Sequence, residues 1–144
     1  MRTNNLRFFV YGTLKPGEVN YNLYCTGKVV EAKRAIAFGQ LFHLPLGYPA
    51  MIPGEGLVQG FLLTFVDPAI LRVLDELEDY DPYRAAAENE YNRQQIEVYD
   101  LAKETLGLAW AYLMTSEQVQ QLQGVPIISE SWSQFRESFF NSPN

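Results

Sequence analysis

The sequence predicts an α+β fold, a small mixed β-barrel-like sheet with peripheral helices, and three observations carry that expectation. Strand-like runs outnumber helical ones along the chain. No internal repeat, low-complexity tract or linker divides it, so one domain spanning residues 1–144 is expected. With 47% hydrophobic and 14% aromatic residues, 144 residues suffice to bury a proper core.

Leu6 to Tyr11 is an apolar, aromatic-rich run halted by Gly12, which reads as a buried first strand entering a turn that continues through Lys15-Pro16-Gly17. A second extended region is expected over Ala35 to Leu44. The stretch that follows, with Pro45, Gly47, Pro49, Pro53 and Gly54, is too broken for regular structure and long enough to line a cleft. Strand character resumes from Leu57 to Phe65. Asp67-Pro68 opens a helix, because the aspartate oxygen can cap free amide groups and proline at the first helical position loses no hydrogen bond. That helix should run to about Asp79. A polar stretch from Asp81 to Asn89 precedes strands near Tyr91 to Tyr99 and Leu108 to Met114, and two late helices are expected after Ser116 and Ser131.

The charge balance narrows the partners. Seventeen acidic residues stand against 11 basic ones, a formal net charge of -6 with no basic block, so neither nucleic acid nor an anionic membrane is expected as partner. A small molecule fits better. The first ten residues lack the long apolar segment of a secretory signal, and no run approaches the roughly 20 apolar residues that cross a bilayer, so a cytoplasmic location is the default. Cys25 is the single cysteine and His43 the single histidine, which rules out an internal disulfide and leaves any metal to carboxylates; none is expected. His43 reads as a structural histidine and Cys25 as an inert thiol. Trp110, Trp132, Phe135, Phe139 and Phe140 read as core or interface residues, and an exposed C-terminal aromatic patch would favour a homodimer.

On a helical wheel of about 100° per residue, Ile70, Leu71, Val73, Leu74 and Leu77 fall on one arc facing the core. Arg72, Asp75, Glu76 and Asp79 lie opposite, as solvated charges should. Glu78 breaks the pattern, projecting at i+7 from Leu71 and i+4 from Leu74. Apolar surroundings and the negative end of the helix dipole both discourage its ionisation, which suits a group that must take a proton and return it. The competing reading has Glu78 reach past the apolar edge into solvent or pair with an arginine.

Gly12 and Gly17 share the spacing of a phosphate-binding loop, yet Glu18 and Val19 follow where lysine and serine or threonine are needed, so a nucleotide loop is rejected. Two readings stay open: an ordinary strand-ending turn, or a turn whose unpaired N–H groups bind an anion such as a carboxylate. Tyr48-Pro49 could wall a pocket or simply pack a loop. Tyr91 and Arg93 begin a strand, where Arg93 could hold a substrate carboxylate or form a surface ion pair.

Taken in order, these motifs resemble the gamma-glutamylcyclotransferase-like family in its compact form, which includes gamma-glutamylamine cyclotransferases. Phe9-Val10-Tyr11-Gly12-Thr13-Leu14 is similar to the family's opening strand and Tyr-Gly-Ser/Thr-Leu turn, Gly47-Tyr48-Pro49 to its Gly-Tyr-Pro segment, and Val58-Gln59-Gly60 to its Val-x-Gly strand. Leu74-Asp75-Glu76-Leu77-Glu78 resembles the Leu-Asp-x-x-Glu whose final glutamate is the family's acid/base, and Tyr91 and Arg93 resemble the Tyr-x-Arg that follows. The likeness covers about residues 7 to 114; the Asp81 to Asn89 stretch looks longer than a minimal linker, and the tail after Gln123 matches no family feature.

The resemblance implies a cofactor-independent enzyme that closes a gamma-glutamyl unit into 5-oxoproline. Glu78 would be catalytic, with Tyr11, Gly12, Thr13, Leu14, Tyr48, Tyr91 and Arg93 around the substrate. The turn would bind either the α-carboxylate or the developing oxyanion. Two alternatives keep the cavity but change its use: a binding module that retains a gamma-glutamyl or amino-acid ligand, and a cyclotransferase acting on a carrier-bound gamma-glutamyl intermediate.

Overall fold

The computed structural model describes residues 5–127. Strand β1 (Leu6–Val10) leads through a wide π-helical turn at Tyr21–Cys25 into the long β2 (Val29–His43) and β3 (Pro49–Phe65). Helix α1 (Ala69–Leu77) follows, then β4 (Asn92–Tyr99), β5 (Thr105–Leu113), the short α2 (Ser116–Gln121) and β6 (Val125–Pro126). Five strands form a closed ring. β3 pairs antiparallel with β1, β1 runs parallel to β5, β5 antiparallel to β4, β4 meets β2 at Tyr99 and Ile36, and β2 returns antiparallel to β3. The barrel-like sheet read from the sequence is therefore the observed architecture, with β6 added beside β2.

Alternation along the strands sorts the core into two sets. Phe9, Tyr11, Ala35, Ala37, Val58, Leu62, Val98, Ala109 and Ala111, drawn from all five ring strands, pack together inside the barrel. Phe8, Val10, Leu63 and Phe65 face the other way and receive Ile70 and Leu74 of α1. Small residues keep the interior narrow. At Gly60 a Cβ would collide with the Val10 carbonyl and approach the Phe9 ring to 2.9 Å, so this strand position accepts no side chain.

Several boundaries differ from the sequence reading. Only the turn between Leu44 and Pro49 is irregular, and Pro49 to Gly54 lies in β3. Pro49 is the first residue of the strand, and the pairing jumps from Phe38↔Leu57 to Gly39↔Pro53, so a bulge absorbs residues 54–56. Proline and glycine are tolerated at such positions. β2 begins at Val29, ahead of the expected Ala35; its first third is largely exposed, so the sequence there carries no apolar alternation to mark a strand. α2 is capped by Thr115, whose side chain accepts from the Gln118 N–H while the Gln118 side chain accepts from the Thr115 N–H. The helix expected after Ser131, and Trp132, Phe135, Phe139 and Phe140, lie outside the described residues. Among the described residues no helix is long and apolar enough to cross a membrane.

Candidate active site

The helix carrying Glu78 ends one residue before it. The Tyr80 N–H bonds the Asp75 carbonyl at 2.9 Å, the Asp79 N–H bonds the Glu76 carbonyl at 3.2 Å, and Asp79 takes a left-handed φ of 54°, which together make a Schellman stop with aspartate in the usual glycine place. Arg84 braces it, donating to both the Asp79 carbonyl and its carboxylate. The sequence pattern extended α1 to Asp79; the left-handed turn ends it earlier and fixes Glu78 at the negative end of the helix.

Glu78 opens onto a cavity of about 240 Å³ that it shares with Tyr11, Gly12, Thr13, Leu14, Tyr48 and Tyr91. Seven of the eight site residues named from the sequence thus meet in one place. The eighth, Arg93, is not in the lining. Its guanidinium bonds both carboxylate oxygens of Asp75, at 3.2 and 3.0 Å, and lies over the rings of Tyr80 and Trp110. Asp75, placed among the solvated charges by the wheel, is instead largely buried, with 16% of its side chain exposed. It also accepts a hydrogen bond from Tyr112 at 2.7 Å. Neighbouring strands cover that helix face, which a wheel drawn for an isolated helix does not include. Burial raises the Asp75 carboxyl above its ordinary value, opposed by the Tyr112 hydroxyl and by Arg93.

The turn after β1 is shaped by its neighbours. A Cβ at Gly12 would stand 2.7 Å from Cγ of Pro49, so the glycine lets the turn pack against the start of β3. Pro49 is held in turn by Tyr91, whose hydroxyl donates to the Pro49 carbonyl at 2.6 Å. The Thr13 carbonyl accepts from the N–H groups of Asn20 and Tyr21, and the Asn20 amide donates to the Thr13 hydroxyl at 2.7 Å. Among the described residues no backbone carbonyl takes the N–H of Gly12, Thr13 or Leu14. Such a row of unclaimed donors beside a cavity suits an anion.

The phenols around the cavity are already committed. Tyr11 donates to the Tyr112 carbonyl at 2.5 Å, Tyr91 to Pro49, Tyr112 to Asp75 and Tyr48 to Glu90 at 3.0 Å. Burial drives all four upward, Tyr48 to about 12, so none serves as a base at neutral pH. Glu78 differs. Burial, and after it the nearby Glu90 carboxylate, pushes its carboxyl from the ordinary 4.5 up to about 8. It keeps some contact with solvent through the cavity while protein encloses its other sides.

Three lining residues went unnamed in the sequence reading with signals too faint to single them out: Asn20, Glu90 and Tyr112. Glu90 adjoins Tyr91, and Tyr112 is a polar-tipped aromatic in an apolar strand, but nothing local aims either at Glu78. Cys25 is buried, its thiol pushed up to about 11. Among the described residues no three His, Cys, Asp or Glu side chains gather as metal ligands.

A family model described as gamma-glutamyl cyclotransferase, AIG2-like, matches residues 8–134. The gamma-L-glutamyl-butirosin B gamma-glutamyl cyclotransferase of Niallia circulans is 29% identical over 129 residues, covering 89% of this chain and 76% of that protein. A Drosophila melanogaster protein assigned to the gamma-glutamylcyclotransferases is 33% identical over 120 residues, covering 75% and 69%. Among solved structures, an AIG2-like protein of Mus musculus superposes with a TM-score of 0.67 at 26% identity, over 89% of this chain and 88% of that one. The Bacillus subtilis protein YkqA superposes equally well at 22% identity, and this chain spans 44% of its length, a likeness of fold alone. With the family model covering most of the chain and the curated relatives agreeing with it, this chain belongs to the gamma-glutamyl cyclotransferase, AIG2-like family.

Proposed function

We propose that the chain is a gamma-glutamylcyclotransferase that releases 5-oxoproline from a gamma-glutamyl amino acid or amine, with Glu78 as general acid and base. One observation carries the reading: Glu78, its carboxyl raised to about 8, shares a cavity with Gly12, Thr13 and Leu14, whose N–H groups meet no backbone carbonyl among the described residues. A cavity of about 240 Å³ is below the roughly 300–1,000 Å³ of typical ligand pockets. It suits one amino-acid-sized group, with the remainder of the substrate outside.

A peptide α-amino group titrates near 8, and the free α-carboxylate beside the gamma-glutamyl amine lifts it somewhat above that, which leaves it close to Glu78 at about 8. Proton transfer to Glu78 is then only modestly uphill, far less so than to a carboxylate of the ordinary value, which suits general acid–base catalysis. The first proton leaves the α-ammonium for the Glu78 carboxylate and frees a lone pair. That nitrogen attacks the side-chain carbonyl. As the new C–N bond closes the lactam and the old one breaks, the proton on Glu78 passes to the leaving nitrogen, and the ring nitrogen gives its second proton to the emptied carboxylate. Nucleophile and electrophile share one molecule, so holding the folded conformer supplies much of the rate. The N–H groups of Gly12, Thr13 and Leu14 would hold the α-carboxylate or the oxyanion, and Tyr11, Tyr48 and Tyr91 would wall the glutamyl chain. Arg93 would act through Asp75, fixing α1 and with it Glu78, without touching substrate.

Incubation with a panel of gamma-glutamyl amino acids, gamma-glutamylamines and glutathione should yield 5-oxoproline by mass spectrometry from at least one. Absence of product from every member would overturn this reading.

A further inference from the structure

Among the described residues the cavity lining holds two carboxyl groups, Glu78 and Glu90, and no cationic side chain. The two differ at neutral pH. Glu78, raised to about 8, is mostly protonated there and carries no charge, whereas Glu90 accepts the Tyr48 phenol at 3.0 Å as a carboxylate and is itself one cause of the rise at Glu78. The other polar side chains of the lining add no charge. The phenols of Tyr11, Tyr91 and Tyr112 donate to the Tyr112 carbonyl, the Pro49 carbonyl and Asp75, and the Asn20 amide donates to the Thr13 hydroxyl. Among the described residues Glu90 is thus the one anion that the lining presents at pH 7, half-buried and in none of the ion pairs.

Three elements fix where that charge stands. The Glu90 N–H bonds the carbonyl of Asp79, the residue after Glu78, at 3.2 Å. Gln118, locked into the cap of α2, donates to the carbonyls of Asn89 and Glu90 at 2.7 and 3.3 Å, and Tyr48 holds the carboxylate itself. A half-buried carboxylate without a cation is costly to keep, and the cost is offset when a ligand brings the cation. A gamma-glutamyl unit carries one anion, its α-carboxylate, and one cation, its α-ammonium. The N–H groups of the turn after β1 suit the anion, and a protonated Glu78 has no charge to offer the cation. We propose that Glu90 is the counter-ion of the substrate's α-ammonium, holding it in the cavity while Glu78 exchanges its proton. This rests on the reaction proposed above and adds the residue that recognises its nucleophile. An ammonium held there also offsets the repulsion between the two carboxylates, and so favours the ionised Glu78 that accepts the proton.

The test measures binding in Glu78→Gln, where slow turnover leaves it observable, by titration calorimetry at pH 7 and low salt. Two ligands are compared: L-glutamine, and 4-carbamoylbutanoate, the same molecule without the α-ammonium. L-Glutamine should bind more tightly by roughly tenfold or more, the scale of one charge-assisted hydrogen bond at a partly exposed site. The ratio should shrink as salt is added. With Glu90→Gln introduced as well, the two affinities should become nearly equal. Equal affinities in Glu78→Gln, binding of neither ligand, or a ratio that survives Glu90→Gln overturns the assignment. Should the double variant not fold, Tyr48→Phe in the Glu78→Gln background, which frees the Glu90 carboxylate, should lower the ratio by roughly threefold, and an unchanged ratio overturns the assignment too. The 5-oxoproline panel judges the cyclisation separately. Product without the ammonium preference removes Glu90 and leaves the reaction; the preference without product keeps Glu90 as the counter-ion and removes the reaction.

Discussion

Replacing Glu78 with glutamine removes the proton-carrying group while keeping its shape, and the response of stability to pH separates a buried acid from an ordinary surface glutamate. The unfolded carboxyl has the ordinary value 4.5 and the folded one about 8, so between those values the folded chain holds the extra proton. Stability is then fully present below pH 4.5, falls as pH rises, and levels off above about 8. At about 1.4 kcal/mol per pH unit, the interval from 4.5 to 7 costs wild type about 3 kcal/mol, and the whole interval to 8 about 5. Water in the cavity lowers both, so they are upper figures. Glutamine never ionises. Glu78→Gln should therefore melt above wild type at pH 7, by up to roughly 6–12 °C at the 2–4 °C per kcal/mol usual for this size, and together with it at pH 4. Activity should meanwhile fall by roughly 10²–10⁴-fold, the usual contribution of a positioned acid and base. Thermal melts at four or five pH values, paired with 5-oxoproline release, make the measurement. A variant that is less stable at pH 7, or a melting difference that ignores pH, would refute the buried-acid account.

Glu76→Gln should leave activity unchanged, because the Glu76 side chain is 76% exposed and pairs with Arg72 on the solvent side; a loss comparable to that of Glu78→Gln would remove the distinction between them. Gly12→Ala should cost roughly 1–3 kcal/mol in denaturant unfolding, since its Cβ would sit 2.7 Å from Pro49; an unchanged midpoint would show that the turn can give way. Arg93→Met breaks a largely buried pair and should cost roughly 3–5 kcal/mol, with kcat falling more than KM rises because α1 loosens under Glu78. A pure rise in KM would return Arg93 to direct substrate contact.

Residues 47–60 show how far local sequence reaches. The glycines and prolines there were legible as interruptions, but a bulge and a turn are compatible with a continuous strand once β2 supplies a long antiparallel partner. Glu78 was legible because α1 is amphipathic and a charge on the apolar arc stands out. Asp75 was misjudged by the same wheel, since β4 and β5 bring Arg93 and Tyr112 to a side that an isolated helix would leave to water.

What the sequence determined alone is what depends on neighbours within a few residues: the first strand and its glycine stop, a helix after Asp67-Pro68, and the carboxylate on its apolar side. The ordered motifs added the family. Only the tertiary structure decided that the turn after β1, the start of β3, the end of α1 and the start of β4 converge on one cavity, that Arg93 is spent on Asp75, and that Glu90 joins Glu78 in the cavity lining. The physical reason is separation along the chain. Strand pairings such as Phe8↔Trp110 and hydrogen bonds such as Tyr11 to Tyr112 join residues about a hundred positions apart, and no local pattern records which partner closes the ring.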